Sequence, residues 1–537
     1  MEKKIILAVF ISLFSLTSWS QVTFQKLYGT TTEICHSALQ VADGYMIMGG
    51  SSVNLAQEVM LVKTDTVGNV VWSRKYGGAL FEVTNSIAPT YDGGFVLAGS
   101  TTTFVGPSIN DQQNIYVIKV DAAGNLIWSK SIDIGTYEHA FCVKETFDHG
   151  FILTGYTINA DRDLILVKMD STGNTEWFQT FGSAGNSMDA GNGVFQTRDS
   201  GYVAVGSSTA MMAPGDTGIY LVRTNAAGVP MNTRHYTLTN TTINVHQSYG
   251  FNLIQNTNGN LVIVGVVSGI FSGLYWGGSP FLLETDSAFN FVNAKLYSLN
   301  TGFSYGNSVE QTADNGYILG GTMGDHYPMM IKTNDTLNTE WCYYYGNFGP
   351  AGLIHNGNGH DAHQTADGGF MLSATHFPFG LYSMQLIKTD SLGQSGCNQG
   401  LPIFEGISST PTQSSVPGTV FATGNGTGFS NGTSDLIVTT YEDVLCLTTS
   451  LNDPVADVSS FRIYPNPANN QITIERDMHS FSNCDVFLYD IHGKLVMSTF
   501  IDENKIELNI EKFKAGVYFV KTIEEIQIVS VHRFVKF

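Results

Sequence analysis

The sequence predicts an all-β protein: a seven-bladed β-propeller closed by its own N-terminal strand, followed by a small Ig-like β-sandwich. Three observations carry this. A four-strand unit of 50 to 59 residues recurs seven times. The mature chain opens on QVTFQKLYG, which reads as the end of such a unit, and the last unit stops short of that strand. The final 80 residues change to short alternating strands.

The first element is a leader, residues 1–20. MEKK supplies positive charge, IILAVFISLF an apolar run of signal-peptide length, and Ser18 and Ser20 the small residues ahead of a cut before Gln21. No Cys follows the apolar run closely, so no lipoprotein anchor is expected. No later stretch approaches the ~18 apolar residues of a transmembrane helix. The 46 acidic and 26 basic residues leave a formal net charge of −20. That field repels nucleic acid and anionic membranes, and excludes both as partners.

The repeat comes next. Each unit carries an Asp/Asn–Gly turn, an anchor that is aromatic or Leu, and a short apolar strand: ADGYMIMGG, YDGGFVLAG, FDHGFILTG and so on. The anchors are Tyr45, Phe95, Phe151, Tyr202, Leu261, Tyr317 and Phe370. A second signature follows each, as in LVKTDTVGNVVW and LVKMDSTGNTEW. Four strands per unit, A to D, make a propeller blade. No 3.6-residue apolar period occurs, which excludes a helical solenoid. In the C–D turn, Asp65, Asp121 and Asp170 suit Asx turns, and Gly68, Gly124 and Gly173 suit a left-handed backbone. Trp72, Trp128 and Trp177, seven residues after each Asp, are placed to pack between blades. Asn232 and Asn293 take that position in blades 4 and 5, so the packing there must differ.

Blade 7 lacks strand D after Cys397. VTFQKLYG aligns with VVWSRKYG of blade 1 and puts Phe24 at the Trp position. The 27 residues from Phe370 to Cys397 and the 23 from Val22 to Tyr45 together make one repeat. Closure by the N-terminal strand removes the open edges of an unclosed array. The propeller is thus expected over 21–397.

Residues 398–457 are rich in Gly, Ser, Thr and Pro and read as a linker or extended segment pinned to the propeller. Cys446 follows Cys397 by 49 residues, and in an exported chain a disulfide between them would do the pinning. From 458 the text becomes FRIYPNPANNQITIERD, DVFLYDIHGKLV, IELNIEKFKAGVYFVKT and VHRFVKF. This tail resembles the type A C-terminal sorting domain of the type IX secretion system. The matching residues are Tyr464-Pro465-Asn466-Pro467, Tyr489-Asp490-Ile491 with Gly493-Lys494, Ala515-Gly516-Val517-Tyr518 and Val535-Lys536. The resemblance implies passage across the outer membrane of a Gram-negative cell, with the type IX machinery and its sortase as partners. It also implies removal of the tail, and release or attachment to surface polysaccharide. The propeller units resemble uncharacterised repeats found in proteins with this tail, which implies a fold and no activity.

In a four-stranded blade the A–B and C–D turns share one face, and the D–A and B–C loops the other. The first set is short and uniform and the second varies, so the D–A/B–C face is the expected working face. An acidic residue three positions ahead of strand A recurs in blades 1 to 4, as Glu33, Glu82, Glu138 and Asp189. Two readings are open: capping of loop N–H groups, or a cation or polar-ligand site for which calcium is the candidate. Further in stand His36 and His360, with Asp361 beside the latter. HNGNGHDAH fits no zinc spacing, and no metal site or other cofactor is read from the chain. Tyr275 and Trp276, in a Gly/Ser-rich loop, could stack on a sugar or fold back on blade 5. Thr66, Ser171, Ser287, Thr336 and Ser391 lie in Asp–Ser/Thr–apolar turns that resemble an O-glycosylation sequon of secreted proteins in the same bacteria; turn chemistry favours the same pairs. No HExxH, P-loop or CxxC occurs, and no catalytic residue is assigned. The expected function is binding or scaffolding with a glycan or protein ligand; the alternative is a polysaccharide-degrading enzyme with its site at the channel mouth.

Overall fold

A computed structural model describes residues 21–396 apart from loop segments such as 30–32, 52–57, 104–112, 210–215 and 347–355, the strands between 399 and 448, and 461–536 apart from short loops. The leader lies outside the described residues. The chain divides into two compact units, Met1–Ser450 and Leu451–Phe537.

The first unit holds seven antiparallel sheets, and each of the first six begins with four consecutive strands in chain order. In blade 1 these are Glu33–Val41, Gly44–Ser51, Val59–Thr64 and Val70–Tyr76. The anchors pack in the apolar layers between neighbouring sheets. The acidic position, expected ahead of strand A, stands within that strand in blades 1 to 4. The strand is longer than the alternation implied because it passes through a β-bulge, at Cys35/Ser37 in blade 1 and Ala140/Cys142 in blade 3.

The turns repeat the same chemistry. Asp65 Oδ1 accepts from the N–H groups of Val67 and Asn69, and the Asn69 amide returns a bond to Oδ2. Asp121, Asp170 and Asp286 form the same closed turn. At the A–B turn a buried Lys from strand C meets the turn Asp, as in Lys119–Asp92 at 2.8 Å and Lys332–Asp314 at 2.8 Å. Blade 5 inverts the pair: Glu284 accepts from the Asn256 and Asn260 amides.

The seams between blades explain where Trp occurs. Each Trp packs on the left-handed Gly of the next blade's C–D turn: Trp72 on Gly124, Trp128 on Gly173, Trp177 on Gly228 and Trp341 on Gly393. A Cβ on Gly228 would stand 2.8 Å from Trp177, so bulk on one side requires its absence on the other. Where blades 4 and 5 carry Asn232 and Asn293, the facing turns carry Phe289 and Leu337, fully buried at φ 67° and 64°. Asn232 and Asn293 then donate to Ala288 O at 3.0 Å and Thr336 O at 3.5 Å. Tyrosines of strand D latch the same seams: Tyr297 to Leu337 O at 2.9 Å, and Tyr345 to Gly393 O at 2.8 Å.

Blade 7 takes its fourth strand from the N-terminus. Strand β1, Thr23–Gly29, pairs antiparallel with Ser383–Thr389, Phe24 opposite Lys388 as Trp72 is opposite Lys63. Phe24 and Tyr28 are fully buried. Phe24 covers Gly68 of blade 1, and Tyr28 donates to Gly68 O at 2.7 Å. On the other side of this seam, Ala366 N–H donates to Gln40 Oε1 at 2.8 Å and Thr375 Oγ1 lies 3.0 Å from Cys35 N.

Residues 399–448 form strands that add a fifth, outermost member to every sheet. They visit the blades backwards: Gln399–Gly400 on blade 6, Phe404–Ser408 on 5, Thr410–Ser414 on 4, Thr419–Gly424 on 3, Thr427–Ser430 on 2, Leu436–Ile437 on 1, and Tyr441–Thr448 on blade 7 against β1. Right-handed twist turns the outer strand of a blade towards the rim, so a belt of short strands can pair with each in turn. Cys397 lies outside the described residues. Of Cys446 the backbone is described, opposite Gln25 of β1, and Gln25 also donates to Ser395 Oγ at 3.0 Å.

The second unit has seven strands in two sheets, of three and four. Ile472, Ile474, Val486, Leu488 and Val520 are fully buried between them. The last strand returns beside Ala468, whose N–H donates to Val535 O at 2.7 Å.

Candidate functional site

The channel is lined by the seven A strands. At the D–A/B–C end, strand A of one blade is held by the preceding blade: Glu33 N–H donates to Tyr382 O at 3.0 Å and Glu138 N–H to Gln113 O at 2.6 Å. The acidic side chains are buried at this junction, Glu33, Glu138 and Asp189 completely and Glu82 almost so. Glu82 accepts from Gly78 N–H at 2.9 Å and Thr101 Oγ1 at 3.0 Å. Glu138 Oε1 accepts from Thr157 Oγ1 at 3.2 Å, and Asp189 Oδ2 from Ser187 Oγ at 2.8 Å. The Glu82, Glu138 and Asp189 carboxylates thus bond to their own D–A loop or to strand B. Among the described residues no three His, Cys, Asp or Glu side chains converge as a metal site requires.

Burial, reinforced by the charge of Asp133, pushes the Glu138 carboxyl up to about 7, and Glu138 Oε2 has no partner among the described residues. The folded state therefore holds a proton that the unfolded chain, with its ordinary value of 4.5, releases. Stability contributed by this group is present below pH 4.5 and falls as pH rises to about 7. Glu138→Gln is expected to melt higher than the wild type at pH 8, by on the order of 2 kcal/mol, with the gap narrowing towards pH 5. Denaturant titrations at both pH values check this; a gap that does not depend on pH would refute it.

The bulge residues form a ring with an alternating rule. In blades 2, 4 and 6, Asn85, Asn192 and Asn307 donate to the next blade, at Ala140 O, Gly250 O and Gly359 O, over 2.8, 2.8 and 2.7 Å. Blades 1, 3, 5 and 7 carry His36, Phe141, Phe251 and His360. An odd ring leaves two aromatics adjacent: the His36 and His360 rings are 6.4 Å apart. Burial lowers them to about 4 and about 3, so both are neutral at pH 7. His360 Nε2 lies 3.0 Å from Thr375 Oγ1, and Asp361 accepts from Ser37 Oγ.

Nearer the other mouth, His363 Nδ1 meets Glu310 Oε2 at 2.5 Å, with Lys144 also on strand A and exposed. Burial opposes the charged imidazole, yet the Glu310 hydrogen bond and the charges of Glu310 and Asp361 raise it above its ordinary value. The alignment of His363 with Glu310 and Lys144 is legible from the repeat; the hydrogen bond between His363 and Glu310 is not, because it depends on the side-chain geometry across the seam of blades 6 and 7.

Tyr275 lies opposite Ile270 and Trp276 opposite Gly269 in a hairpin extending strands B and C of blade 5; their side chains lie outside what is described. Thr66, Ser171, Ser287, Thr336 and Ser391 are all exposed in C–D turns. Thr336 stands one place later in its turn than the others, with its hydroxyl on Asn334 Oδ1 at 2.9 Å.

Residues 462–536 match the family of secretion system C-terminal sorting domains. The chain is thus an all-β, propeller-type protein with a type IX sorting domain, exported to the extracellular space or the cell surface. No helix among the described residues is long and apolar enough to cross a membrane. No curated protein matches the chain. Among solved structures it is similar to PorZ, an essential surface component of the type IX secretion system of Porphyromonas gingivalis, at 11% identity over 94% of this chain and TM-score 0.39. The chain spans 59% of the length of that protein. It is also similar to the polysaccharide lyase Uly1, at 9% identity over 66% of this chain and 90% of that one, TM-score 0.43. A Dyadobacter fermentans protein of unknown function matches at 10% identity over 69% of this chain and all of that one, TM-score 0.37.

Proposed function

We propose that this protein is an exported binding module: a propeller scaffold that presents a glycan or protein ligand-binding surface outside the cell. The observation that supports it most is how the channel's titratable groups are used. The repeated carboxylates are buried, Glu82, Glu138 and Asp189 are bonded within their own blades, and His36 and His360 are neutral, packed side chains. Groups so committed hold blades together and leave recognition to the surface. On this reading the sortase of the type IX machinery removes the sorting domain, and the propeller is released or attached to surface polysaccharide.

The alternative is a polysaccharide-degrading enzyme, and the His363–Glu310 pair is the observation in its favour, since a shifted histidine paired with a carboxylate in a channel is a common catalytic signature. Glycan and protein arrays and a panel of polysaccharide and peptide substrates, run on one preparation of the full chain, separate the two. Binding without turnover is the expected result. Product formation that His363→Gln abolishes would replace the binding reading with the enzymatic one.

A further inference from the structure

The A–B turns of blades 2 and 3 carry rings that the packing of the blades does not require. In blades 2 to 7 this turn has one build. The N–H of its fourth residue donates to the carbonyl of its first, as His149 does to Thr146 O at 2.8 Å and Gly368 to Thr365 O at 2.8 Å. The second residue is exposed in all six. Blades 6 and 7 place Ala313 and Ala366 there, whereas blades 2 and 3 place Tyr91 and Phe147, 80% and 64% exposed. Two further departures meet at the same seam. The fourth residue has a left-handed backbone and is Gly in blades 2, 5 and 7, but His149 in blade 3, at φ 61°. A Cβ disfavours that backbone. Nor is a gap being filled, since a Cβ on Gly93, at the same place in blade 2, would meet nothing within 4 Å. The end of strand A carries Gln in blades 1, 4, 5, 6 and 7, but Glu145 in blade 3.

These departures converge on one assembly. The Tyr91 and His149 rings lie 4.2 Å apart across the seam, inclined at 34°. Glu145 Oε2 accepts from Tyr91 N–H at 2.8 Å, and Oε1 lies 3.6 Å from His149 Nδ1. Phe147 N–H donates to Gln196 Oε1 of blade 4 at 2.6 Å. The rings thus stand on a fixed backbone while most of their surface faces water; the His149 side chain is 51% exposed. Beside them stand the Asp92 and Asp148 carboxylates, each more than half exposed. Open ring faces with acceptors at their rim suit a sugar ring. Its C–H bonds carry slight positive charge and meet the negative faces of the aromatic rings, and its hydroxyl groups donate to carboxylates that have lone pairs to spare. An anion would meet two carboxylates. A cation would compete with Lys119 and Lys168, which already pair with them at 2.8 Å and 3.0 Å. Three rings of ~150–250 Å² each, part of that covered, fall short of the ~800 Å² that a stable protein interface takes from each partner.

We propose that Tyr91, Phe147 and His149 form an open platform on which a saccharide chain stacks. The inference rests on the binding-module reading and assigns it a place, on the A–B/C–D face, opposite the variable loops. The test uses the full chain, a glycan array followed by titration of the best soluble oligosaccharide, and two variants. Tyr91→Ala combined with Phe147→Ala installs the residue that blades 6 and 7 carry. His149→Gly installs the residue of blades 2, 5 and 7 and removes the Cβ from the left-handed backbone. Both variants are expected to melt within a few degrees of the wild type. The double variant should weaken glycan binding tenfold or more, and His149→Gly severalfold. A lower melting temperature with an unchanged Kd would mean that the rings serve only the fold, and overturns the platform. Glycan binding that survives both variants at full strength likewise overturns it, while leaving the binding-module reading intact. A wild-type chain that binds no glycan but captures a protein on the companion array overturns the saccharide assignment. Absence of binding on both arrays removes the binding reading as well.

Discussion

A chain that begins at Glu33 will not form a stable propeller. It lacks Phe24, Leu27 and Tyr28, all buried, and the Tyr28 bond to Gly68 O. Removing three such side chains costs on the order of 10 kcal/mol, against a total stability of ~5–15 kcal/mol for an ordinary domain. The loss is larger than that of an edge strand, because β1 lies between Ser383–Thr389 and Tyr441–Thr448 in the middle of its sheet. Deletion therefore strips two strands of their partner. The expected result is aggregation, or a melting temperature lower by more than ~10 °C, with partial recovery when a peptide of residues 21–32 is added in excess. Size-exclusion chromatography and thermal melting decide it. Equal stability of chains starting at Gln21 and Glu33 would show that the N-terminal strand does not close the ring.

The second large effect lies at the seams. Trp177→Asn should destabilise by ~3–5 kcal/mol, as removal of a large packed ring does. Gly228→Phe alone should destabilise by ~1–3 kcal/mol or more, since its Cβ would stand 2.8 Å from Trp177. Together they recreate the arrangement of Asn232 with Phe289, which this same chain uses one seam further on. The double variant should therefore be more stable than the sum of the two changes by ~1–3 kcal/mol. Denaturant unfolding of all four proteins measures that coupling. Strictly additive losses would mean that Trp/Gly and Asn/Phe are not alternative solutions to one packing problem.

That exchange shows how far the repeat can be read. The absence of Trp at Asn232 and Asn293 is visible in the text, and so are Phe289 and Leu337 in the turn that elsewhere ends in Gly. Nothing in a linear reading couples position 232 to position 289, because they meet only when blade 5 lies beside blade 4. The carboxylates at Glu33, Glu82, Glu138 and Asp189 were legible as a repeated feature with two readings. Their burial comes at the junction where strand A meets the preceding blade, and that junction exists only once neighbouring blades are in place.

By itself the sequence determined the all-β class, the seven repeats, the strand that completes blade 7 and the sorting tail. Each is written in side chains: turn residues that need particular backbone angles, anchors at regular spacing, a Phe at a Trp position, and motifs in fixed order. The tertiary structure alone decided the course of residues 399–448. A segment of Gly, Ser, Thr and Pro carries no alternation to announce a strand, and it pairs through backbone N–H and C=O groups, which nearly every residue possesses. What specifies the belt is the row of unpaired groups on the outer edge of each blade, and that row exists only once the seven sheets have formed.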